Sequence, residues 1–140
     1  MGTVINKALI TLIVQTCKEL TSIELYGYTV DDAAVIIVAQ YCFKLGKLEL
    51  HDNHKIKYNS LIALSERGLP LKELNINPIP LIPTADIARR CSHALSCIHN
   101  LNTYDLHQNG QDASILIPKM TGLTSVYLKY YSHSYIPLLT

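Results

Sequence analysis

The chain has 140 residues, of which 49% are hydrophobic and 16% are charged, and its formal net charge at pH 7 is +1. This composition excludes a disordered polymer and predicts one folded domain over residues 1–140. A chain with so small a net charge and no basic run lacks the long-range field that gathers DNA or RNA, so we expect no nucleic-acid partner.

The first predicted element is a helix over residues 6–16, which we interpret as the helix of a preceding partial repeat. Its apolar stretch Ala8–Val14 is shorter than the roughly 18 apolar residues of a membrane span, and no small-residue cleavage site follows it. We therefore expect neither a membrane partner nor a signal peptide. Cys17 and Cys42 recur at matching points of a repeat, as buried thiols do, which predicts a reducing, intracellular location, cytoplasmic or nuclear.

A nine-residue pattern occurs five times along the chain. It begins at Cys17 as Cys-Lys-Glu-Leu-Thr-Ser-Ile-Glu-Leu and returns at Cys42, Gly68, Ile98 and Met120, so that its start advances by 25, 26, 30 and 22 residues. The apolar-x-apolar ending is typical of a short strand whose alternate side chains enter the core. Repetition at this period predicts a solenoid, because each copy must stack on the next to bury its apolar side.

The segments between the copies are predicted to be helical. Val30–Ala39 begins with two aspartates near the positive end of a helix dipole and then becomes strongly apolar. A second helix is expected from about Asn59 to Arg67, and a long third helix over Thr84–Cys97, capped by Thr84. Asn109–Gly110 is predicted to form a tight turn after the fourth strand. The expected fold is α/β, a right-handed superhelix of about five repeats with a short parallel sheet on the concave face and helices on the convex face.

The fourth copy has two alternative registers. A frame that starts at Cys91 would place Asn100 in the strand core, where burial without a hydrogen-bond partner is unfavourable, so we favour the frame that starts at Ile98.

A metal site is the main alternative for the cysteines. Cys91, His93, Cys97 and His99 offer four zinc-ligand types within nine residues. Cys91 and His93 are two residues apart on a predicted helix and so point to different faces. The cysteines also occupy positions where the repeat requires buried apolar atoms, rather than an accessible thiolate. We predict no metal, no cofactor and no catalytic residue, and therefore no enzyme.

Residues 6–128 resemble the leucine-rich repeats of the cysteine-containing subtype, best known from F-box substrate receptors of ubiquitin ligases. The resemblance is closest over the copy at Cys17, the Val-Asp-Asp-Ala segment after it, and Gln40-Tyr41-Cys42. It departs where Gly68 replaces the cysteine and Asn77–Pro83 replaces the usual turn. The resemblance implies a protein-recognition module that presents substrates to an SCF-type ligase, although no F-box is recognised before Cys17. The alternative is a leucine-rich repeat scaffold or regulator, an enzyme inhibitor or assembly subunit, without a ubiquitin role.

Function is expected on the exposed, concave face of the sheet. The predicted partner-binding residues are Glu24, Tyr26, Lys47, Glu49, His51, Glu73, Asn75, Asn77, Asp105, His107, Tyr127 and Lys129. Neighbouring strands lie about 4.8 Å apart, so Glu24 beside Glu49 brings like charges together at a cost in stability. We expect this face to contact basic or hydrogen-bond-donating groups of a protein partner. The apolar ends, including Ile136–Leu139, predict further repeats, a covering partner or self-association.

Overall fold

The computed structural model describes residues 7–27 and 30–129, so the apolar stretch Ile136–Leu139 lies outside the described residues. The first half contains the helices and strands α1 (Lys7–Thr16), β1 (Ser22–Tyr26), α2 (Asp32–Tyr41), β2 (Lys47–His51), α3 (Tyr58–Glu66) and β3 (Glu73–Asn77). The second half contains α4 (Ala85–Arg90), α5 (Ser92–Ser96), β4 (Asn100–Asn102), α6 (Thr103–Asn109), α7 (Ala113–Leu116), a 3-10 turn at Ile117–Lys119 and β5 (Ser125–Tyr127). None of the helices in the described ranges has the length and apolarity that crossing a membrane requires.

The chain is a mixed α/β protein with short parallel sheets. β1, β2 and β3 form one sheet in that order, and their apolar positions pair in the predicted register, Ile23 with Leu48 and Leu25 with Leu50. The predictions of the first three strands, of the helix in Val30–Ala39 and of the helix near Asn59 are confirmed to within two residues at the helix starts.

The core lies between this sheet and the helices. The inward-pointing Leu48, Leu50 and Leu74 are fully buried, and Val35 and Val38 of α2 pack in the same cluster. Burial of each such side chain contributes about 1.5–3 kcal/mol relative to exposure. The strand pattern therefore fixes which side chains remain on the outer side of the sheet.

Neighbouring helices are joined by polar contacts at their starts. Asp31 caps α2, since its carboxylate accepts a hydrogen bond from the amide of Ala34 at 3.1 Å. The carboxylate of Asp32 reaches one repeat further and accepts from the amide of Lys57 at 2.7 Å and from the hydroxyl of Ser60 at 2.6 Å. Because the Ser60 side chain is fully buried, Asp32 supplies the partner that its hydroxyl needs.

The predicted long helix Thr84–Cys97 is wrong, because the segment forms two helices that meet at Cys91. Thr84 does cap the first of them, with its hydroxyl accepting from the amide of Ile87. At Cys91 the backbone departs from α-helical geometry, with ψ at 4°, and its amide is shared between the carbonyls of Ile87 and Ala88. This tightened turn separates α4 from α5.

Both predicted registers of the fourth repeat are also wrong. β4 pairs in parallel with β5, with Leu101 opposite Val126, so the frame starts at Leu95, three residues before Ile98. Leu95, Ile98 and Leu101 are all buried. Asn100 points outward and is exposed, so this frame does not bury an asparagine without a hydrogen-bond partner.

Asn102 then ends the fourth strand by capping α6, and the apolar pattern after it belongs to this helix. Leu106 enters the core from α6 and not from a strand. Asn109–Gly110 therefore closes a helix rather than following a strand. Gly110 takes the left-handed conformation at φ 70°, which favours glycine at a helix end.

The sheet is interrupted between β3 and β4, where the imidazole of His99 bridges the repeats. Its Nε2 lies 3.0 Å from the carbonyl oxygen of Lys72 and its Nδ1 lies 2.9 Å from that of Gly122. Gly122 also packs closely on the main chain, because a Cβ there would lie 2.2 Å from the carbonyl oxygen of Ser96. The amide of Leu74 on β3 still donates to the carbonyl oxygen of Cys97 at 2.9 Å, so the break is spanned by this backbone hydrogen bond and by the imidazole of His99.

Candidate functional site

The outer side of the three-stranded sheet brings together nine polar and aromatic residues, which we call the polar sheet face. They are Ser22, Glu24, Tyr26, Lys47, Glu49, His51, Glu73, Asn75 and Asn77. Three rows cross the strands in the predicted register, and each row contains one residue from each strand. The eight predicted binding residues on β1 to β3 therefore lie side by side.

Glu24 and Glu49 are register partners on adjacent strands, as the repeat frame predicts. The pKa of Glu49 is lowered, first by a hydrogen bond with the Glu24 carboxyl group and then by one from Asn75, whose amide lies 3.0 Å away. Lys47 adds to this effect at 3.4 Å from Glu49, and it also contacts Glu73 at 3.2 Å. These two carboxylates raise the pKa of Lys47, and Glu73 contributes most.

Tyr26 and His51 form an aromatic pair at the end of the same two strands. Their ring centroids lie 4.6 Å apart and their planes are inclined by 15°, so the rings are stacked. The hydroxyl of Tyr26 donates to Oε1 of Glu24 at 2.6 Å, and this bond is the first cause of the raised pKa of Tyr26. Nε2 of His51 is buried and makes no hydrogen bond. Its nearest charged contact, Oε2 of Glu49 at 3.6 Å, is too long for one.

Asp105 and His107 do not lie on a strand, which corrects the prediction. Both belong to α6, because the chain leaves the sheet at Asn102, and Asn100 and Asn102 take the predicted strand positions. Asp105 is half-buried, and burial raises the pKa of its carboxyl group.

A cleft of about 280 Å³ lies between the two sheets. It is lined from one side by members of the polar sheet face, such as His51 and Asn75, and from the other by Asn102, Asp105 and Tyr127. Asp105 also borders a larger cleft of about 700 Å³ beside Tyr58 and Tyr104. Asp105 therefore lies close to the polar sheet face, but it is carried there by helix α6 and not, as the repeat pattern predicts, by a strand.

Tyr127 lines the cleft of about 280 Å³ between the sheets, and Lys129 follows it two residues later. Tyr127 is on β5, opposite Asn102 and separated from β3 by the break in the sheet. Lys129 follows the strand, and its ammonium group lies 5.2 Å from the ring centroid of Tyr104. The five strands of the structure therefore form two sheets, whereas the repeat pattern predicts one continuous concave face.

The four cysteines are free thiols, and three of them are buried. The Cys91 thiol contacts the carbonyl oxygen of Tyr58, and burial raises its pKa to about 11. Cys97 donates to the carbonyl oxygen of Leu71, and His93 is exposed on α5. Cys17 is exposed, contrary to the prediction that it matches the buried Cys42.

Convergent ligand atoms occur elsewhere, on the polar sheet face. Within residues 7–27 and 30–129, the one group of at least three such side chains is Glu24, Glu49 and His51, whose ligand atoms lie within 4.8 Å of one another. The residues from Cys91 to His99 form no such group in the same ranges.

No protein-family model, curated protein or solved structure matches this chain.

Proposed function

We propose that the chain is a leucine-rich repeat module of the cysteine-containing subtype and that it binds a protein partner through the polar sheet face. Two features support a repeat solenoid. β1, β2 and β3 pair without a register shift at steps of 25 and 26 residues, and α2 and α3 connect them. Such a sheet offers a row of side chains whose spacing is set by the backbone, which suits recognition of an extended surface.

The observation that carries the proposed function is the pairing of Glu24 with Glu49 on the outer side of the sheet. Folding buries the inward Ile23, Leu25, Leu48 and Leu50 to different degrees, and it does not require acids at the outward positions between them. Like charges opposite each other destabilise a sheet. Lys47 offsets this cost only in part, because its ammonium group is shared between Glu49 and Glu73. A basic group of a partner would offset the rest on binding, so the arrangement favours an electropositive ligand surface.

Aromatic residues next to the acids add contact area. Tyr26 is 55% exposed and is oriented by its bond to Glu24 and its stacking on His51. A tyrosine that is already ordered loses little side-chain entropy on binding, and tyrosine is enriched where interfaces concentrate their energy. An arginine of the partner could pair with the acids and stack on this ring.

Charge reversal on the sheet face tests the proposal. Affinity capture with Glu24→Lys, Glu49→Lys is expected to lose the partners that the wild type retains. The control is Glu19→Lys, Asp86→Lys, which makes the same change in net charge at exposed residues outside the sheet. All captures contain EDTA, and circular dichroism establishes that each variant is folded. Equal capture by the sheet variant and the wild type would exclude this face as the binding surface.

A milder pair, Glu24→Gln, Glu49→Gln, separates loss of attraction from new repulsion. It removes both negative charges without adding lysines near Lys47, and we expect capture to fall in this variant too. Retention by the glutamine variant together with loss by the lysine variant would mean that the acids do not contribute attraction.

Substrate recognition for a ubiquitin ligase stays a prediction from the resemblance. Its alternative, a scaffold or regulator without a ubiquitin role, uses the same surface. Co-capture of the ligase adaptor with the wild-type chain would favour the first, and capture of a partner without any ligase component would favour the second.

Self-association is the remaining proposal about partners. Leu12 and Ile13 of α1 are exposed, and so are Val126 and Leu128 at the other end of the described chain. Exposed apolar clusters of this kind mark surfaces that another chain or repeat covers. Light scattering across a concentration series is expected to show a mass above that of the monomer, and a constant monomer mass would exclude self-association.

A further inference from the structure

We propose that Glu24, Glu49 and His51 bind a divalent transition-metal ion, with zinc as the preferred ion. The site needs no protein partner, so it can be tested on the isolated chain and does not depend on the proposed recognition function. It would place a cation between the two acids of the polar sheet face.

The donor set is the first reason. Two carboxylates and one imidazole are ligands that zinc accepts, and three protein ligands with an open fourth position are common around this ion. Ligand atoms about 2.1 Å from a tetrahedral ion lie about 3.4 Å from one another. Nε2 of His51 and Oε2 of Glu49 are already 3.6 Å apart, and all three ligand atoms lie within 4.8 Å. Ligand atoms at the 4.8 Å limit would therefore have to approach each other by about 1.4 Å to complete a tetrahedral set.

The unpaired nitrogen of His51 is the second reason. The His51 side chain is 34% exposed, but its Nε2 atom is buried, has no hydrogen-bond partner and points at the carboxylate of Glu49. A buried polar atom without a partner costs free energy, so such atoms are rare unless a ligand or ion completes them. A metal ion would take the lone pair of the neutral ring.

Neighbouring residues already orient the three ligands. The stacked ring of Tyr26 fixes the plane of His51, and its hydroxyl holds one oxygen of Glu24. Asn75 and Lys47 contact Oε1 of Glu49, whereas His51 faces Oε2. In known metal sites, hydrogen bonds from residues around the ligands orient the ligands in the same way.

The chemistry of the ligands predicts selectivity. An imidazole nitrogen suits zinc and nickel, whereas magnesium and calcium prefer oxygen ligands alone. The ammonium group of Lys47 lies on the other side of Glu49 and lowers the attraction for any cation. The site should therefore select by ligand type and not simply by charge.

Isothermal titration of the isolated protein with zinc chloride tests the proposal. The parent for all variants is Cys17→Ser, which removes the exposed thiol as a competing ligand. We expect one zinc ion per chain, and we expect magnesium to bind at least about a hundredfold more weakly. A titration without a saturable zinc site, or equal affinity for magnesium, would overturn the proposal.

Matched variants locate the ion. His51→Gln and Glu24→Gln are each expected to weaken zinc binding at least about tenfold, and Tyr26→Phe, which keeps the ring but loses the hydroxyl, is expected to weaken it less. His93→Gln and Glu19→Gln alter exposed residues outside the cluster and should bind as the parent does. Unchanged zinc affinity in His51→Gln, with circular dichroism like that of the parent, would assign the ion to an adventitious site and reject this one.

The two proposals fail separately. Partner capture is carried out in EDTA, so its outcome does not depend on a bound metal ion. Zinc titration is carried out without a partner, so loss of zinc binding in His51→Gln gives no information on recognition.

Discussion

The contact that joins α2 to α3 allows the cost of a single substitution to be worked out. Asp32→Ala removes the carboxylate that accepts from the buried Ser60 hydroxyl and from the Lys57 amide. A buried hydroxyl without a partner costs about 1–3 kcal/mol, and a hydrogen bond to a charged group contributes about 1.5–3 kcal/mol. Water can satisfy the exposed Lys57 amide, so we expect a net loss of about 2–4 kcal/mol in the free energy of unfolding.

Urea denaturation followed by circular dichroism measures this loss, and Asp31→Ala is the matched control. Asp31 is the adjacent aspartate and caps only its own helix, so its replacement should cost about 1 kcal/mol. Ser60→Ala added to Asp32→Ala should recover part of the loss, because the unpaired hydroxyl is then absent. An Asp32→Ala cost no larger than that of Asp31→Ala would refute the assignment of a polar link between the repeats.

Three further predictions concern thiols, packing and pH. Cys17 is expected to react with a thiol reagent within the mixing time, whereas the other three thiols react only on unfolding; fast reaction of more than one thiol in the native protein would contradict their burial. Gly122→Ala is expected to destabilise the fold by about 1–3 kcal/mol, because the new methyl group meets the Ser96 carbonyl; an unchanged urea midpoint would contradict this packing. Arg90 lowers the pKa of Glu66 below its ordinary 4.5. The difference in unfolding free energy between wild type and Glu66→Gln should therefore be constant above about pH 6 and shrink as the pH falls below 4.5. A difference that grows in acid would contradict the lowered pKa.

The regular repeats could be predicted from the sequence because one physical constraint dominates them. Leu48 and Leu50 alternate with outward polar residues, and a parallel strand leaves no other arrangement that buries both. Once the inward positions are known, the outward neighbours of Glu49 follow from register alone. This is why the positions of Glu24 and His51 could be predicted.

The fourth repeat could not be predicted because two patterns overlap there. Tyr104 and Leu106 alternate with polar residues as in a strand. Both nevertheless lie in α6, because Asn102 at the end of β4 caps this helix. The spacing contained the better signal, since Leu95 lies 27 residues after Gly68 and 25 residues before Met120. Ile98 divides the same interval less evenly, into 30 and 22 residues.

Features that depend on tertiary contacts cannot be predicted from the repeat pattern. His99 bridges two carbonyls that are distant in sequence, and nothing in its local sequence indicates this. Cys17 is exposed and Cys42 is buried although both occupy the same position of the pattern, so the pattern alone does not determine the burial of a thiol. The unpaired nitrogen of His51 is likewise a property of three-dimensional packing.

Site-specific photo-crosslinking tests the central claim, that the polar sheet face binds the partner, most directly. A benzophenone amino acid replaces either Tyr26, on the sheet face, or Phe43, an exposed aromatic residue in the turn before β2. With a partner isolated by capture, we predict a covalent adduct from position 26 and none from position 43. An adduct from position 43 alone would place the partner outside the polar sheet face and contradict the proposed function.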